Sequence, residues 1–184
     1  MENDKTYTAF VGTNLLASGT RDEVLATLKS RFDRDSHTLF LTFDDQTGRQ
    51  VDFDLRGTLA DVRARYRPAP PHVGPGRPKL GVVAREVSLL PRHWKWLEQQ
   101  PNGASAAIRR LVDDARKREP GEQQARAAIE AAGRFLTAMA GNLPGYEEAS
   151  RALYARDKKR FHKFIRDWPR DVRLHAQRLV LGAL

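Results

Sequence analysis

The sequence predicts an α+β chain of three modules joined by an extended linker. Apolar residues alternate with period two on both sides of a turn in the first third of the 184 residues. The thirteen residues from 67 to 79 hold five prolines and two glycines, too many for a helix or a central strand. From Pro91 onward the apolar spacing is helical. These observations divide the chain into an N-terminal α+β domain (1–66), a Pro/Arg-rich linker (67–82), a strand-helix-helix unit (83–118) and a C-terminal helical domain (119–184).

The first domain reads as two similar halves in the order ββαββα. Thr6–Val11 leads through Gly12, Thr13 and Asn14 to Leu15, Leu16 and Ala17. In the second half Leu39, Leu41 and Phe43 alternate, a turn spans Asp44 to Gly48, and Val51, Phe53 and Leu55 alternate again. Period-two spacing on both sides of a turn predicts a hairpin. Each half then shows Gly-Thr-x-x-acid-Val: Gly19, Thr20, Glu23 and Val24, then Gly57, Thr58, Asp61 and Val62. Thr20 and Glu23 have the spacing of a capping box, in which two side chains satisfy orphan N–H groups at a helix start. The repetition fits either a duplication or two uses of a common cap. Its acidic residues read as a solvated face.

The linker contains Gly76-Arg77-Pro78-Lys79. Beyond it, Arg85–Leu90 reads as a short strand, Pro91 opens a helix to Gln100, residues 101–104 turn, and Ser105 caps a second helix bearing Ile108, Leu111 and Val112. Trp94 and Trp96, two apart on a helix, point different ways, which places one in a core and one at a rim. In the last domain Ile129, Ala132, Phe135, Leu136 and Met139 keep helical spacing, and Gly141–Gly145 breaks that helix. Further runs up to Trp168, and a last helix opened by Pro169, complete a bundle of three or four helices.

Composition narrows the function. The chain has no cysteine, which excludes disulfides, thiolate metal sites and cysteine nucleophiles. No apolar run is long enough to span a membrane, and the polar first residues do not read as a secretory signal, so a cytoplasmic, nucleoid location is expected. The five histidines lack metal spacing, no phosphate-binding or nucleophile-elbow motif occurs, and adjacent Asp113 and Asp114 do not face each other on a helix. Neither a catalytic residue, a metal nor a cofactor is expected. The net charge of +9 points to a polyanion. Residues 67–118 carry 11 basic and 4 acidic side chains, against 9 and 11 in residues 1–66. Arg156–Arg160 reads either as a phosphate-contacting patch or as a solvated turn between helices.

Residues 83–118 resemble the ribbon-helix-helix family of bacterial DNA-binding proteins in Leu90-Pro91 at the strand-helix junction, Gly103-x-Ser105 in the turn, and Ile108-Arg109 in the second helix. That resemblance implies a homodimer whose paired strands form a ribbon in the major groove. A lone strand leaves both edges unpaired, and two short helices cover little core. Val87, Leu89, Trp94, Leu97, Ile108, Leu111 and Val112 would fill the dimer core. Arg85, Ser88, Arg92 and Arg109 would face DNA, with Ala104 and Ser105 at the helix start holding a phosphate. One departure from the family stands out. Its outward strand residues are polar or basic, whereas alternation here puts Arg85 with Val87 and Leu89, and Glu86 with Ser88 and Leu90. A bulge or register shift would bring Arg85 round.

Gly76-Arg77-Pro78 resembles the core of AT-hooks, so Arg77 and Lys79 are expected in the narrow minor groove of A·T-rich DNA. The chain as a whole resembles an uncharacterised bacterial domain-of-unknown-function family. The shared residues are Gly76–Val83, Arg85–Trp94, Thr137–Gly141 and Trp168-Pro169. The expected function is a non-enzymatic homodimeric DNA-binding protein, a transcriptional regulator or a nucleoid-associated protein, with a protein partner or effector at the outer modules. The alternatives are an interaction module of antitoxin or adaptor type and an RNA- or ribosome-binding protein.

Overall fold

The computed structural model describes residues 5–67, 85–118 and 120–184. They form two compact units, one built from the chain up to Arg67 together with Gly121–Leu184, the other from the segment between them.

The first unit is built on an antiparallel sheet of order β2-β1-β3, with β1 (Thr6–Val11) between β2 (Asn14–Thr20) and β3 (Phe40–Asp44). Gly12, at φ 58°, makes the two-residue turn between β1 and β2, a left-handed position suited to glycine. Alternation along β1 splits the core in two. Tyr7 and Ala9 pack with Val24, Leu25 and Leu28 of α1 (Arg21–Arg34) and with Val62 of α2 (Leu59–Arg65). Phe10, pointing the other way, joins Phe43 and Phe135 in the second core.

Both α1 and α2 start as the repeated sequence signal predicts. Thr20 with Glu23, and Thr58 with Asp61, each form a full capping box. The second hairpin is shorter than expected. Phe43 bridges Gln50 and the Val51 N–H reaches the Thr42 carbonyl at 2.8 Å, after which the chain leaves the sheet. Val51, Phe53 and Leu55 therefore pack as an irregular segment, and the domain is ββαβα rather than ββαββα. Aromatic packing accounts for the departure. Phe53 meets Tyr7 and Tyr66 edge-on, at 5.9 and 4.9 Å between centroids. The Asp54 N–H donates to the Tyr66 hydroxyl at 2.6 Å, so a side chain takes the donor that a partner strand would use.

Four helices follow: α5 (Pro120–Ala140), α6 (Tyr146–Tyr154), α7 (Lys158–Phe164) and α8 (Arg170–Leu179). They were expected as a separate domain. Instead Phe135 of α5 packs against Phe10 of β1 at 5.7 Å and Phe43 of β3 at 5.1 Å, so residues 1–66 and 119–184 share one core. The reason lies in the sheet. With α1 and α2 on one face, Phe10 and Phe43 on the other would stay in water without the helices.

The second unit holds α3 (Pro91–Glu98) and α4 (Gly103–Arg118). Pro91 opens α3 as predicted, with Leu90 as an extended N-cap. Asn102 and Gly103 take left-handed φ values of 66° and 78°, and α4 begins at once, which leaves Ser105 inside its first turn rather than at the cap. Arg85–Leu90, expected as a strand, forms neither helix nor ladder within the chain.

Candidate nucleic-acid interface

A length difference shapes the central unit. α3 has 8 residues and α4 has 16, or about 12 Å against 24 Å of helix. Leu97 of α3 and Ala107 of α4 are buried, with Ala104 and Ile108 half-buried. Further along α4, Leu111 and Val112 continue the stripe begun by Ala104, Ala107 and Ile108. α3 has ended by then, and these two side chains are 48% and 51% exposed. Ahead of α3, Val87 and Leu90 are exposed as well.

Of the residues expected to fill a dimer core, only Leu97 is closed off within its own chain. Leu89 and Ile108 are half-buried, while Val87, Trp94, Leu111 and Val112 are exposed. Trp94 and Trp96 are both exposed in the single chain. Helix geometry puts Trp94 on the face of Leu97, three residues on. Trp96 falls instead beside Arg92, four residues back.

The residues expected to contact DNA are accessible where they are described. Arg85, Ser88, Arg92, Ser105 and Arg109 are exposed, and Ala104 is half-buried in the first turn of α4. Arg77 and Lys79 lie outside the described residues. Among the described residues no ion pair involves this unit. Arg92 and Lys95 of α3 and Arg109, Arg116 and Lys117 of α4 have no carboxylate partner among the described residues, while Arg110 donates to Gln100 Oε1 at 3.2 Å.

The first unit holds a cluster the sequence did not reveal. Arg178 of α8 donates to Thr8 Oγ1 of β1 at 2.7 Å, Ser18 Oγ of β2 at 2.9 Å and Asp45 Oδ2 after β3 at 2.9 Å. It also reaches His175 Nδ1 at 3.2 Å. With Nδ1 accepting, the ring proton sits on Nε2, which faces Asp45 Oδ1 at 3.6 Å. Those two buried atoms face each other, and neither has a hydrogen bond among the described residues. Burial, with Arg178 adding to it against the opposing pull of Asp45, lowers the His175 pKa from 6.5 to about 4. The ring is neutral and packs edge-on against Phe135 at 4.5 Å.

This arrangement ties the last helix to β1, β2 and the turn after β3. Asp45 and Arg178 are 133 residues apart, so no local spacing could have announced the pairing. Among the described residues, no group of three His, Asp or Glu side chains could hold a metal ion. No helix among them is long and apolar enough to cross a membrane.

No curated protein and no solved structure matches the chain. A family model does match, over residues 6–180, and with nearly the whole length covered the chain belongs to the family of uncharacterised proteins conserved in bacteria, DUF2239.

Proposed function

We propose that the protein is a homodimeric duplex-DNA-binding protein that uses residues 83–118 to pair with a second copy and to grip the phosphate backbone. The supporting observation is that, among the described residues, one small unit combines an exposed apolar stripe with cations that have no carboxylate partner. Val87, Leu90, Leu111 and Val112 are exposed, and Arg85–Leu90 is in no strand among the described residues. A second copy supplies both needs at once, a strand for the strand and an apolar stripe for the stripe. Arg85, Arg92 and Arg109 then lie on a doubled positive surface, with Ser88, Ala104 and Ser105 beside them. Arg77 and Lys79 extend it as a minor-groove hook toward A·T-rich sequence. The role is that of a transcriptional regulator or nucleoid-associated protein in the bacterial cytoplasm, and no catalytic step is invoked.

Electrophoretic shifts on a duplex of about 30 base pairs in rising salt test the reading. Affinity should fall by orders of magnitude between about 50 and 200 mM salt, as expected when several phosphates are neutralised. No binding at low salt, or a flat response, would reject it. Two other readings make different predictions. An antitoxin- or adaptor-type module would keep its protein partner after charge reversal at Arg92 and Arg109, and an RNA-binding protein would prefer structured or single-stranded RNA over duplex DNA.

A further inference from the structure

The charges on the four C-terminal helices are arranged unevenly. Arg126, Arg134 and Arg151 of α5 and α6, and Arg156 just after them, all pair with glutamates, at 3.8, 3.0, 3.1 and 2.6 Å. The chain then changes. From Lys158 to Arg173 there are seven basic and two acidic side chains. Only Arg166 has an ion pair among the described residues, with its neighbour Asp167 at 3.3 Å.

The nearby carboxylates are engaged by backbone. Asp157 accepts the Arg160 N–H at 3.0 Å, and Asp171 accepts the Leu15 N–H at 2.8 Å. On α7, Phe161 faces the core with no exposure, as does Ile165 just beyond the helix. Lys159, Arg160 and Lys163 take the opposite, exposed side. Arg160 and Lys163 both lie over the half-buried Phe164 ring, at 6.0 and 5.7 Å.

This distribution works against the helix. Asp157 caps the start of α7, and the turn that follows carries Lys158, Lys159 and Arg160 without an acid among them. Lys159 and Lys163 repel each other at an i,i+4 spacing. Local choices that oppose the fold are expected where a surface serves something else, and an anionic partner would turn the repulsion among these cations into attraction.

We propose that Lys159, Arg160 and Lys163 of α7 form a second contact surface for the DNA phosphate backbone, separate in sequence from the central unit. This rests on the duplex-binding reading and extends it: the protein would hold DNA through both of its units. The grip is made by side chains on a helix fixed from below by Phe161 and Ile165. An anionic membrane fits less well, because a surface-lying helix needs an apolar face to insert, and the apolar face of α7 is already buried.

The salt dependence of duplex binding tests this on the full-length protein. Removing one cation that neutralises a phosphate should lower the slope of log affinity against log salt by about 0.9. The triple variant K159Q/R160Q/K163Q should therefore lose roughly 1 to 3 units of slope and at least about tenfold in affinity at 0.1 M salt. The paired cations provide a control, and R134Q/R151Q should leave the slope unchanged. Thermal melting of the triple variant at or above wild type excludes misfolding. If the triple variant keeps the wild-type slope while R92Q/R109Q loses it, the α7 surface is rejected and the central reading stands. If wild type binds no duplex at low salt, both are rejected. A weakening of the triple variant confined to phosphatidylserine vesicles would also overturn the proposal, in favour of a membrane surface.

Discussion

The two units of this protein differ in how far they satisfy their polar and apolar groups internally. In the first, the sheet is covered on both faces, most arginines of α2, α5 and α6 have carboxylate partners, and even the buried polar side chains Thr8 and His175 are tied to Arg178. In the second, α4 outruns α3, Leu111 and Val112 are about half exposed, and among the described residues no cation has a carboxylate partner. The contrast is one of self-sufficiency. The first unit has the features of a finished core, and the second those of half an interface.

The largest expected effect tests whether the first unit really is one body. Phe135 is fully buried between Phe10, Phe43 and His175. Phe135→Ala should cost about 3–5 kcal/mol in urea denaturation. Hydrogen exchange should then show the amides of β1 and α5 losing protection together. Protection in β1 that survives the substitution would mean that the N-terminal segment folds without the helices.

Two glycines sharpen the comparison at the next level. Gly48 and Gly103 both adopt left-handed φ, 65° and 78°. A β-carbon on Gly48 would overlap the Ala131 carbonyl oxygen of α5, whereas one on Gly103 meets nothing within 4 Å. Gly103→Ala should therefore cost only the backbone penalty, about 1–2 kcal/mol. Gly48→Ala should add an overlap cost of about 1–3 kcal/mol. Equal thermal shifts for the two variants would show that the turn after β3 does not press on α5 as described.

A smaller effect concerns His175. Its folded pKa lies below its unfolded value, so the unfolded chain takes up a proton first as the pH drops. The stability linked to neutral His175 is present in full above about 6.5 and is lost progressively toward pH 4. The carboxylates of Glu23, Asp35, Asp61 and Glu122, all held below their ordinary values by hydrogen bonds, weaken the fold in a lower range. Between pH 6.5 and 5 the His175→Gln variant should thus show a flatter stability profile than wild type in urea titrations. Parallel profiles would remove His175 as the cause.

What could be read from the sequence follows the range of the forces involved. The two capping boxes, the Pro91 helix start and the apolar face of α5 depend on residues within a turn or two of each other, and the structure shows each of them. The missing fourth strand and the merging of the first and last segments depend on Tyr66 reaching Asp54 and on Phe135 reaching β1. No local pattern encodes such meetings. The Asp45–His175–Arg178 cluster was hidden for the same reason. In the central unit the stripe on α4 was legible, and among the described residues α3 covers only its first half.

The exposed half of that stripe gives the smallest effect on folding and the clearest separation of the two units. Leu111 and Val112 are already about half exposed, so replacing both with asparagine removes little buried surface from the single chain. Fold stability should change by no more than about 0.5 kcal/mol, as for other surface positions. The same pair sits at the centre of the stripe a second copy would cover, where two polar amides would be buried without partners. Sedimentation equilibrium at micromolar concentration should show a wild-type dimer and a monomeric Leu111→Asn/Val112→Asn variant, both with the same melting behaviour in the first unit. A monomeric wild type would leave the stripe unexplained by self-association, and a dimeric variant would place the pairing surface elsewhere. If the variant is monomeric and its affinity for duplex DNA falls with its mass, pairing and binding are one property of the central unit.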